Sequence, residues 1–218
     1  MKVMVDPGHG GPVTSGYNYG AAANSVVEKH AVLTIALHMK ELWPDEVRLT
    51  RSTDRLLTPS ERADIANNAD ADLFVSLHMN AYNPRPAARG WEIFHASGSE
   101  SGEKWAKKVA PRVYHTFPAG WPDRGIKSAN YTVLVETKMP AILLEYGFLT
   151  NPTDAAWLSS TTNLHKLALS TGLGIGLPDP FNRITHPALK RLAESGPDKL
   201  FEGIEADLAE LKHLFKRT

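Results

Sequence analysis

The 218-residue sequence contains no cysteine. Thiol nucleophiles, thiolate metal ligands and disulfides are therefore excluded, and any metal must be held by His, Asp and Glu. It also has no excess of one charge: 24 Lys and Arg balance 24 Asp and Glu. A nucleic-acid binder would normally show a basic excess, so no nucleic-acid partner is expected. No apolar run approaches the roughly 20 residues that cross a bilayer, so no membrane insertion is expected either. There is no Gly-x-Ser-x-Gly stretch, which together with the missing cysteine makes a covalent nucleophile the poorer expectation and water the better one. Internal repeats and low-complexity tracts are absent. The first strand is predicted to begin at residue 2, so no signal peptide is expected ahead of it.

What is present is an alternation of short apolar runs and helical patterns in a chain that is 42% hydrophobic, enough for one packed domain and an appendage. Val3, Met4 and Val5 form a buried strand stopped by Pro7 and Gly8. "SVVEKHAVLTIALHMKEL" has near-helical apolar spacing, and "EVRLT" reads as a strand. "TPSERADIANNA" opens on a capping box, with Thr58 as cap, Pro59 in the first turn and Glu61 reaching back. "DLFVSLH" is a strand ending in His78, and "GWEIFH" is another. The helix "SESGEKWAKKVAPRVYHTF" should be kinked or broken by Pro111. "YTVLVET" reads as extended, and "PAILLEYGF" as a buried strand ending in Glu145. "NPTDAAWL" starts a further helix capped by Asn151. Together these predict an α/β fold: a mostly parallel twisted sheet of about six strands flanked by helices, with a short C-terminal helical segment.

Gly and Pro concentrate in "GLGIGLPDPFN". This predicts a main domain over residues 1–178, followed by a linker and C-terminal helical segment over 179–218. In that segment Leu200, Ile204, Leu208, Leu211 and Phe215 make one apolar stripe. It is expected to pack against its own domain or to self-associate with a sister chain.

Chemistry collects at strand and helix ends, where open α/β sheets form their sites. His9 follows the first strand in a glycine-rich turn, His78 and Glu145 end two others, and Glu28 stands near the start of the first long helix. Two imidazoles and one carboxylate are a ligand set of catalytic zinc that leaves a position for water. The other glutamate could then take that water's proton. No compact motif fixes the four by spacing.

The segments "VDPGHGG", "EKHAVLTIALHMKEL", "LTRSTD", "SERADIAN", "ADLFVSLHMNA" and "RGIKSANYTVLVETKMPAILLEYGFLTNPTDAAWL" resemble, in order, zinc-dependent N-acetylmuramoyl-L-alanine amidases over roughly residues 1–178. The resemblance implies that His9, Glu28 and His78 bind Zn2+ and that Glu145 is the catalytic base toward a zinc-bound water. It implies hydrolysis of the amide between N-acetylmuramic acid and L-alanine in bacterial peptidoglycan. A lytic enzyme of the endolysin or autolysin kind is expected, cytoplasmic until released to the wall, or secreted with its leader missing from this chain. "GPVTSGYNYG" departs from the family's acidic continuation after the first histidine, and His30, read as an exposed helix residue, stands where Asp or Asn is more usual. Asn80, facing the same side as His78, is read as steadying the site or touching substrate. Arg124 in "RGIK" is read as gripping a stem-peptide carboxylate, with a surface salt bridge as its rival. Arg51 and Arg62 are read as structural. The rival functions are another zinc hydrolase, such as a stem-peptide peptidase, and a non-catalytic wall-binding module.

Overall fold

A computed structural model describes residues 1–12, 20–83 and 87–183. The chain divides into two units, Met1–Leu177 and Pro178–Thr218. The first is built on a six-stranded sheet of β1 (Val3–Pro7), β4 (Val47–Leu49), β5 (Leu73–Asn80), β6 (Trp91–His95), β7 (Asp123–Ser128) and β8 (Ala141–Phe148). Their order is β4-β1-β5-β8-β6-β7. Every neighbouring pair is parallel except β6 and β8, so the sheet is mostly parallel, as expected. A two-residue pair, β2 (Ala22–Ala23) with β3 (Val26–Val27), precedes the first helix.

Helices cover both faces. The long ones are α1 (Glu28–Leu42), α3 (Glu100–Tyr114) and α6 (Thr161–Gly174). α6 packs on both α1 and α3, which in turn lie on β1, β5, β6 and β8. α2 (Pro59–Asn68) and the short α4 (Thr132–Val135) pack together, and α5 (Pro152–Leu158) sits beside β8. Strand parity explains the two layers. Met4, Phe74, Phe94 and Leu143 point into one buried cluster with Ala66 of α2 and with Val133 and Leu134 of α4. Their strand neighbours Val3, Val5, Val75, Ile142 and Leu144, also buried, belong to the opposite face.

The local signals at helix starts hold. Thr58 and Glu61 close the capping box at 3.2 and 2.7 Å, and Asn151 Oδ1 accepts from the Thr153 and Asp154 N–H groups.

Three expectations need correction. "YTVLVET" is not extended: Thr132–Val135 forms a helical turn. Its β-branched residues suit a strand, but burying Val133 and Leu134 against Phe74 and Leu143 overrides that preference. Pro111 does not end α3, which runs on to Tyr114. Both Pro111 and Lys107, whose carbonyl loses its helical donor, face solvent, so water can satisfy that group. Within the main domain, "GLG" at 172–174 forms the last turn of α6. A Cβ on Gly172 would lie 2.2 Å from the Trp43 ring, so glycine is there to admit the indole. Finally, β5 and β8 continue past His78 and Glu145 to Asn80 and Phe148.

Of the second unit, the described part holds a 3-10 turn, Pro180–Arg183, in which Asp179 Oδ1 accepts from the Phe181 N–H at 2.9 Å. The helical patterns at 187–193 and 198–215, with their apolar stripe, lie outside the described residues, as does most of "GPVTSGYNYG".

Candidate active site and metal centre

The turn after β1 explains its glycines. His9 sits at φ 58°, a left-handed conformation that costs a non-glycine residue on the order of 1–2 kcal/mol. Buried cations hold it there. Arg62 donates to the His9 carbonyl at 2.6 Å and to the Pro7 carbonyl at 2.9 Å. Arg51 donates to the Pro7 and Gly8 carbonyls at 2.8 and 2.7 Å, and Lys29 to the Gly11 carbonyl at 2.8 Å. Arg62 is itself neutralised by buried Asp6 at 2.7 Å. Gly8 has a second reason to lack a side chain, since its Cβ would fall 2.2 Å from the His78 ring.

That close approach brings three donor atoms together. Glu28 Oε1 lies 3.1 Å from His9 Nε2 and 3.0 Å from His78 Nδ1, and the two nitrogens are 3.2 Å apart. Zinc–nitrogen bonds of about 2.0–2.1 Å at tetrahedral angles put donors about 3.3 Å apart, so this set fits a zinc ion closely. Backbone N–H groups fix Glu28: Met79 donates to Oε1 at 2.9 Å and Ala21 to Oε2 at 2.7 Å. Burial pushes the Glu28 carboxyl up, but hydrogen bonds and charge from His78 and His9 outweigh it and hold the group well below the usual carboxylate range.

Across the sheet, His78 of β5 is level with Glu145 of β8, and Glu145 with Glu92 of β6. Glu145 Oε2 is buried without a hydrogen-bond partner. Burial first, and then the charges of Glu28 and Glu92, push its pKa well above the ordinary value. His9, His78 and Glu145 open together into a cleft of about 530 Å³, walled by Thr58, Pro59 and Tyr131.

Among the described residues, His9, Glu28 and His78 are the one group of His, Asp or Glu side chains close enough to share a metal ion. A family model of N-acetylmuramoyl-L-alanine amidases matches residues 3–176. The chain belongs to the N-acetylmuramoyl-L-alanine amidase family. The amidase is 34% identical over 187 residues to N-acetylmuramoyl-L-alanine amidase CwlM of Bacillus licheniformis, covering 84% of this chain and 69% of that one. It is 37% identical over 181 residues to the endolysin of Bacillus phage SPP1, covering 79% and 64%. Among solved structures, the catalytic domain of the amidase CwlV from Bacillus (Paenibacillus) polymyxa var. colistinus superposes with TM-score 0.72 at 33% identity, covering 80% and 96%.

The remaining sequence-stated residues are placed as follows. His30 is exposed and lies 3.6 Å from Asp54. Asn80 and Arg124 stand apart from the metal triad. Both contact Glu92: Asn80 Nδ2 donates to Oε1 at 2.7 Å and Arg124 Nε to Oε2 at 2.8 Å. Lys127 joins Arg124 on Oε2. Sequence reasoning missed Glu92 and Lys127. The available signal was the isolated acid inside the apolar "GWEIFH", a buried carboxylate that requires a partner. No helix among the described residues is long and apolar enough to cross a membrane.

Proposed function

We propose that the amidase hydrolyses the amide joining the lactyl group of N-acetylmuramic acid to L-alanine of the peptidoglycan stem peptide, using zinc held by His9, Glu28 and His78, with Glu145 as general base. One observation carries this reading: of three donors at zinc-like spacing, the two histidines open into the same cleft as a carboxylate whose buried oxygen has no partner. A bound zinc would supply Lewis acidity, making water acidic near neutral pH and polarising the amide carbonyl. The chain's own residues do the rest. Glu28 stays ionised between two imidazoles and backbone donors. Glu145, whose burial beside Glu28 and Glu92 raises its proton affinity, takes a proton from the attacking water in its ionised form and returns it to the departing nitrogen of L-alanine. The C–N bond breaks as the new C–O bond forms, leaving a carboxylic acid on the sugar and a free amine on the peptide. Positioned proton transfer of this kind contributes on the order of 10²–10⁴ in rate.

The biological role follows from the substrate: cleaving this bond detaches peptides from glycan and weakens the wall. We read it as lytic, of the endolysin kind, with the protein held in the cytoplasm until it reaches the wall.

Digestion of purified sacculi with and without chelator, with products identified by mass, tests the proposal. Intact peptides beginning with L-alanine should be released, and chelator should abolish their release. A stem-peptide peptidase would instead leave L-alanine attached to muramic acid, and that result would overturn the reading. His78→Ala should lose both metal and activity while staying folded; full zinc content in that variant would remove His78 from the ligand set.

A further inference from the structure

We propose that the groove beside Glu145, bounded by β5, β6, β7 and β8, is a subsite for a free carboxylate on the stem peptide, bound by Arg124. The proposal rests on the amidase reading and adds a substrate requirement to it.

The device begins in β7. Trp91 pairs with Asp123 but Ile93 pairs with Ile126, so β7 carries one extra residue opposite β6. Gly125 supplies the left-handed turn this needs, at φ +80°, with nothing within 4 Å of where its Cβ would be. Residues three apart on a regular strand point to opposite faces. The extra residue reverses that, and Arg124 and Lys127 both reach Glu92 Oε2.

Glu92 is buried, and both its oxygens are used, Oε1 by Asn80. One cation would suffice to neutralise it. With two, the cluster of Glu92, Arg124 and Lys127 carries a net charge of +1. Lys127 does not line the groove, whereas Arg124 does, together with Asn80, Tyr82 and Phe148. Among the described residues the groove's one acid is Glu92, already paired.

Arg124 spends only Nε on Glu92; among the described residues neither terminal nitrogen has a protein partner. Its guanidinium lies 4.8 Å above the Phe148 ring, which fixes the plane of the fork. A planar fork with free N–H groups on a net cationic cluster is suited to a carboxylate, held by two parallel hydrogen bonds. The groove measures about 520 Å³, within the range that encloses a small ligand.

Position selects the carboxylate. Glu92 stands directly across from Glu145, and Arg124 is one ion pair further on. A group held by Arg124 therefore lies about one or two residues from the scissile amide. That corresponds to the stem residue following L-alanine.

Matched soluble muropeptides with a carboxylate or a carboxamide on that residue test this, using the full chain and Arg124→Gln. The wild type should cleave the acid with about 10-fold or greater preference in kcat/KM, expressed in KM. Arg124→Gln should lose that preference, its kcat/KM on the acid falling to within about 2-fold of its own value on the amide. Its cleavage of the amide substrate also reports that it is folded. Equal wild-type cleavage of acid and amide would overturn the subsite and leave the amidase reading intact. So would a preference that survives Arg124→Gln, or a loss of the same factor on both substrates. Cleavage of neither by the wild type would defeat the amidase reading, and this inference with it.

Discussion

At Glu145 a buried carboxylate oxygen without a partner sits level with a histidine of the proposed ligand set. Such a group is costly to the fold, and proton transfer is what makes use of it. Glu145→Gln keeps the shape and removes the proton acceptor. The variant should retain its metal and melt no lower than the parent, yet lose about 10²-fold or more in turnover. Metal analysis, thermal unfolding and muropeptide kinetics check the three parts; loss of zinc would make Glu145 a ligand. The four proposed site residues could be picked out because His and Glu at the ends of apolar runs are conspicuous and the family motifs occur in order. Glu92 and Lys127 were not. Sheet sites are sought at the carboxyl ends of strands, but β6 runs antiparallel to β8, so the beginnings of β6 and β7 meet that edge.

At the scale of elements, α1 and α6 meet through two stacked histidines, His38 and His165, with ring centroids 3.9 Å apart. Burial, and then the charge of His165, push the His38 pKa down to about 4, against a weaker upward pull from Glu41. An unfolded histidine titrates near 6.5. Between those values the unfolded chain binds the proton and the folded chain does not, so stability falls as pH drops from about 6.5 to 4. Denaturant unfolding across that range should show the loss, and His38→Asn should flatten the slope; an unchanged slope would clear His38 of responsibility. The elements also show where periodicity stops being informative. "DRGIKS" has one strongly apolar residue, Ile126, and forms an edge strand that needs no alternation. α4 is a single turn, too short for a helical period to show.

For the whole molecule, all four proposed site residues and the groove at Arg124 belong to the unit Met1–Leu177. We propose that this unit suffices for catalysis. Chain ending at Leu177 should bind zinc and cleave soluble muropeptides at rates within about 2-fold of the full protein, since no site residue is removed and surface changes cost little. Light scattering and a sacculus pull-down on both forms would register what the remaining segment does. A truncated chain that cannot cleave soluble muropeptides would mean that residues beyond 177 help to build the site.

The sequence by itself determined the alternation of strands and helices, the caps at Thr58 and Asn151, the exclusion of thiol chemistry, and the family, from which the two histidines and two glutamates are proposed. These depend on residue type and on spacing within one element, which are written directly in the chain. Only the tertiary structure decided which way β6 and β7 run, that Gly8 makes room for the His78 ring, and that Glu92, Arg124 and Lys127 form one cluster. Each of those depends on register between strands distant in sequence, and a one-residue change in register turns a side chain to the other face.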